Sequence, residues 1–222
     1  MYESILRLGS DCAFAVGGFY LLIGVTHFLL PRSQLRGAEG VNAAFFFSLA
    51  ERSCAFKLHY WVVVLAGLTT LPLLAALLAL LRGSIGGISL WFGAMGGLGA
   101  GLLVVDFAYV GVQGPRLAQA FTRASEGTRE AILALGLPHV DPCFLGWGLL
   151  GGGLAGLNGE LLRSALVPRA FAGLGIIGGA LLVATFVGAL LRRPRLIDVA
   201  AGLGGFLVGP AWAIWAGFVF RA

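Results

Sequence analysis

Three histidines and three aspartates carry most of the reactive chemistry in this chain: His27, His59 and His139, with Asp106, Asp141 and Asp198. Imidazoles and carboxylates brought together can ligate a metal or pass a proton. Asp106 is the sharpest case. It is the acidic residue set inside an apolar run, ISLWFGAMGGLGAGLLVVDFAYV. A charge at the middle of a membrane helix costs roughly 2.5–3.5 kcal/mol on insertion scales, so such a residue is a functional candidate by default. Its place about one turn before Val110 also admits a plainer role, with headgroup water or a structural partner such as His59, Arg116 or the Tyr109 hydroxyl. The histidines show no HxxxH, HxxE or EExxH spacing. A metal site on His27, His59 and His139 would therefore have to be assembled across helices. Asp106, His27, His59 and Tyr109 are the candidate ligand-binding set, and Asp106 is the one catalytic candidate.

The elements that must hold these residues are read from hydropathy. The chain has 222 residues, 59% of them hydrophobic and 11% charged, with 36 glycines. Its mean hydropathy is +0.94. Repeated runs of 18 or more apolar residues mark membrane helices. Six spans are expected, at about 12–30, 58–81, 85–110, 142–162, 168–191 and 196–220. The expected fold is an all-α, polytopic six-helix bundle forming a single domain. Its home is the plasma (inner) membrane, crossed several times. The segments 41–57 and 116–135 are too polar to span and read as amphipathic helices lying at the interface, the second interrupted at Gly127; a buried re-entrant segment is the alternative for 41–57. Gly114-Pro115 is expected to break the helix between them. Residues 1–11 form a short polar lead, and no cleavable signal is evident.

Six spans put both termini on one side, side A. The connections after spans one, three and five lie on side B, and all three histidines and Asp106, Asp141 and Asp198 fall toward it. Side B also holds twice as many basic residues as side A, which by the positive-inside rule makes it cytoplasmic. Asp198, at the start of span six, reads as favourable helix-dipole placement. Glu160 and Arg163 form an i, i+3 ion pair on side A.

Glycines recur at four-residue spacing: Gly93, Gly97 and Gly101 in span three, Gly148, Gly152 and Gly156 in span four. Such rows let helix backbones approach closely. On a 100° helical wheel Asp106 lies roughly opposite the span-three row, which suggests protein on both sides of that helix. Pro72 should kink span two, with Thr69 and Thr70 bonding the carbonyl that it frees.

Several classes are excluded by what is missing. There is no nucleotide loop, nucleophile elbow or HExxH motif. The basic residues sit at segment ends without a basic face, so no nucleic-acid partner is expected. Cys12, Cys54 and Cys143 have no CxxC spacing and read as buried small apolar residues. No motif implies a cofactor.

Three features together, the long connection after span one, the turn LLRSALVPRAFAGLGIIGG and the terminal VGPAWAIWAG, resemble an uncharacterised family of six-span bacterial membrane proteins, a domain of unknown function. That resemblance implies a six-span fold with side A inside, opposite to the charge reading, and brings no activity or site residues. Two functions are expected to compete. One is a non-catalytic accessory or scaffold subunit, or an apolar-ligand binder, meeting lipids and other membrane subunits through its glycine faces. The alternative is an intramembrane enzyme or carrier with a polar side-B pocket around Asp106, His27 and His59.

Overall fold

The computed structural model describes residues 2–35, 41–82 and 86–221. Ile85, with which the third expected span begins, lies outside the described residues. The fold is all-α, with no strand among the described residues. In chain order the helices are α1 (Tyr2–Leu29), α2 (Ala43–Glu51), α3 (Cys54–Leu80), α4 (Gly87–Arg123), α5 (Glu126–Leu135), α6 (Leu145–Ser164), α7 (Arg169–Leu190) and α8 (Pro194–Val219).

Five of these helices, α1, α3, α4, α7 and α8, are long and apolar enough to cross a membrane. The fourth expected span, α6, is present as a 20-residue helix but does not reach that grade. Its glycines add little hydropathy, and Asn158, Glu160 and Arg163 load its last turns. It is nevertheless central, packing between α4 and α7. The backbones meet at glycine pairs: a Cβ on Gly153 would lie 2.5 Å from Gly96 Cα, and one on Gly151 would lie 2.5 Å from the Gly179 carbonyl. Low hydropathy and central position share this cause, because only bare backbone fits such contacts on two sides.

Several expected boundaries move. The polar lead is not separate, since α1 is continuous from Tyr2. Gly114-Pro115 does not break α4, which runs 37 residues to Arg123, about 55 Å at 1.5 Å per residue. Tertiary packing overrides the proline there. Gly114, Pro115, Ala118 and Phe121 are all buried in the extension, where Phe121 stacks on Phe46 of α2 at 4.8 Å. Phe45 and Phe46 are thus 2% and 0% exposed: most of the apolar face of α2 meets α4 rather than lipid. Gly127 lies within α5 and does not interrupt it. Arg129 of α5 donates to the carbonyls of Phe121 (3.0 Å) and Thr122 (2.8 Å), closing the end of α4.

Pro72 lies inside α3. Thr69 and Thr70 donate to Leu65 and Ala66, their own i−4 carbonyls, rather than to Leu68, whose carbonyl the proline frees. In α8, Pro210 has a clearer effect. It has no N–H for the Phe206 carbonyl and its ring crowds that oxygen. The helix widens just before it into a π-helical turn at Gly204–Val208, with the Gly209 N–H reaching the Gly204 carbonyl. The expected Glu160–Arg163 pair is present at 3.1 Å, on the surface. Of the cysteines, Cys54 and Cys143 are exposed and Cys12 is partly so. Both exposed thiols sit at helix starts or in a connection, outside the packed interior.

Candidate functional site

The six chemistry-bearing residues sort into two separate places at the same end of the bundle. Asp106 belongs to the first. It lies seven residues after Gly99, so two helical turns put both on the α6-facing stripe of α4. The outward stripe holds Gly97 and Gly101, which meet nothing within 4 Å. Asp106 is 2% exposed. Its Oδ1 accepts the N–H groups of Val140 (2.7 Å) and Asp141 (3.0 Å), and His139 Nδ1 lies 3.0 Å from Oδ2. A carboxylate only accepts, so the His139 proton sits on Nδ1. The structural partner of Asp106 is therefore the 139–141 connection, not His59, Arg116 or Tyr109.

Asp141 continues the same chain of contacts. Its two oxygens accept from Leu145 N (2.8 Å) and Gly146 N (2.6 Å), the first amides of α6. These are orphan donors at a helix start, and Asp141 satisfies them as a cap does. Asp141→Ala should cost about 1–2 kcal/mol, read as a lower unfolding temperature of the purified protein. An unchanged transition would mean that water replaces the carboxylate and that the cap has no structural role.

His27 and His59 belong to the second place. Their ring centres are 5.8 Å apart. They border a cavity of about 360 Å³ that has α1, α3, α4, α6, α7 and α8 in its walls. Asp198, in the second turn of α8, lines the same cavity; Asp106 does not. Most of the wall is apolar or aromatic, including Tyr20, Phe107, Trp147 and Phe206. Gly202, just before the π turn, and Gly205, within it, belong to the α8 wall, and a Cβ on either would meet nothing within 4 Å. The widened turn and its bare glycines hollow out this side, and π turns are common at functional sites. Tyr20 and Leu182 also line a deeper void of about 30 Å³, so the cavity points inward toward Thr70 and Trp212. The indole N–H of Trp212 is buried there without a protein partner.

The His59 tautomer follows from its neighbour. Thr26 Oγ1 is 2.8 Å from the Leu22 carbonyl and 3.0 Å from His59 Nδ1. A helical threonine hydroxyl spends its one proton on the i−4 carbonyl, so His59 Nδ1 must donate to Thr26 and Nε2 keeps its lone pair. Thr185, also in the wall, donates to Leu181 at 3.0 Å and likewise has only lone pairs left to offer.

His139 thus stays with Asp106, while His27 and His59 face the cavity. Tyr109 is 42% exposed and lines a surface groove with Arg116 and His139. Among the described residues no three His, Cys, Asp or Glu side chains gather closely enough to hold a metal. Asn158 is fully buried, donates to the Leu154 carbonyl at 2.9 Å and leaves Oδ1 unpartnered. Phe107, Trp147, Thr26 and Thr185 carry no sequence signal, since aromatic and hydroxyl residues are common in any span. Asp198 was visible in the sequence as a helix-start carboxylate, but not as a cavity residue. No protein-family model, curated protein or solved structure matches the chain, so the resemblance to a six-span family gains no support from these comparisons.

Proposed function

We propose that the chain is a multi-pass protein of the plasma (inner) membrane that holds a small, largely apolar ligand in the cavity beside His27 and His59, without acting on it chemically. The supporting observation is the cavity itself: about 360 Å³, mostly apolar and aromatic, with a few polar groups at one end. That size and lining are typical of small-molecule sites. An enzyme or carrier working through Asp106 with His27 and His59 has less support, because Asp106 is occupied by the 139–141 connection and does not face the cavity.

Gly202→Phe tests this reading. The space beside Gly202 is open, so a ring there should fill the cavity while leaving the fold intact. Native mass spectrometry of the protein from nanodiscs should show a small molecule retained by wild type and lost from the variant. Equal retention by both would overturn the reading. A second reading, an accessory subunit of a larger membrane assembly, is favoured by one observation. Gly97 and Gly101 present a bare stripe of α4 away from the chain's own bundle, and small residues so placed let a further helix approach.

A further inference from the structure

Resting on the cavity-binding reading, we propose that the ligand is a lipophilic organic monocation, an amine or quaternary ammonium group carried on an apolar body. Three features of the wall point the same way. First, Asp198 is the one carboxylate among the described residues that line the cavity, and neither arginine nor lysine takes part. Asp198 forms no ion pair among the described residues, although Arg195 lies one turn earlier on α8 and is exposed. Asp198 and the neighbouring Arg192, Arg193 and Arg195 are all exposed, and none of these guanidinium groups is within 4.0 Å of its carboxylate among the described residues.

Second, two polar groups of the wall have no proton left to offer. His59 has spent its proton on Thr26, and Thr185 has spent its proton on Leu181. An anionic head would meet the Asp198 carboxylate and find neither arginine nor lysine in the wall. A cation is complementary to the carboxylate and to these two acceptors. Third, Phe107, Trp147, Tyr20 and Phe206 supply aromatic surface around the same space. Ring faces attract cations by about 0.5–2 kcal/mol each, and aromatic walls are the recurrent means of recognising quaternary ammonium. The apolar remainder of the wall accepts the ligand's body.

The test uses the full chain in zwitterionic nanodiscs and a matched pair of tritiated probes. One is 4-phenylbutyl-trimethylammonium. The other is its neutral isostere, with carbon in place of nitrogen. Wild type should bind the cation at least 10-fold more tightly than the isostere. Asp198→Asn should remove most of that preference while leaving isostere affinity within 2-fold. Gly202→Phe should abolish binding of both probes. Equal affinity of wild type for the two probes, or a cation preference that survives in Asp198→Asn, would overturn the monocation assignment and leave the cavity reading standing. Binding of neither probe, or undiminished binding to Gly202→Phe, would overturn the cavity reading itself.

Discussion

Replacing Asp106 by leucine should lower the unfolding temperature of the protein in detergent by roughly 6–12 °C, from a loss of about 3 kcal/mol. The size follows from what the carboxylate holds. The Asp141 amide is at a buried residue and loses its one acceptor among the described residues, while His139 and the half-exposed Val140 can be partly rescued by water. A buried donor left unmade costs about 1–3 kcal/mol. The 139–141 connection also positions Asp141, which caps α6, so the loss should spread to the start of that helix. Asp106→Asn separates structure from chemistry. Its amide oxygen can still accept the two backbone N–H groups, and only the His139 contact must reverse. The expected cost is about 1 kcal/mol, with cavity binding unchanged. A well-folded Asp106→Asn protein that had lost its ligand or an activity would give Asp106 the chemical role denied to it here.

The contrast between Asp106 and Asp198 shows what the sequence could and could not reveal. Hydropathy carried the all-α class, the apolar spans and the clustering of polar residues at one end, because lipid imposes long helices whatever their partners. It also made Asp106 conspicuous, since a carboxylate inside an apolar run stands out. What decides its role is the rotation of α4 relative to α6, and a one-dimensional pattern contains no inter-helix angle. Asp198 looked ordinary because helix starts favour acidic residues. Its importance arises from the π turn one helical stretch later, where Pro210 forces a wider turn and the glycines leave a hollow. The same blindness applies to α2. Its phenylalanines look like membrane anchors until α4 is found to run through Pro115 to meet them.

The glycines give the sharpest mutational contrast, and the expected signs differ within one helix pair. A Cβ on Gly153 would sit 2.5 Å from both Gly96 Cα and Gly96 N, against main-chain atoms that cannot rotate away. Ordinary carbon contacts lie near 3.5–4.0 Å, so even Gly153→Ala must push α4 and α6 apart by about 1 Å. Overpacking of this kind costs about 1–3 kcal/mol, occasionally more, and Gly153→Leu belongs at or beyond the upper end. Gly97→Leu should do the opposite to the isolated chain. Nothing lies within 4 Å of that position, and exchanging glycine for a good helix former is worth up to about 1 kcal/mol. Four-residue spacing picks out Gly93, Gly97 and Gly101, yet the contacts to α6 are made by Gly96 and Gly99, on a neighbouring stripe that spacing alone does not distinguish. Unfolding of both variants in detergent, compared with size-exclusion profiles from mild solubilisation, separates the two uses of glycine. A destabilised Gly153→Leu beside an equally or more stable Gly97→Leu would assign close packing to the α4–α6 seam. A Gly97→Leu protein that kept its stability but changed its assembly size would place a second chain on the outward face of α4.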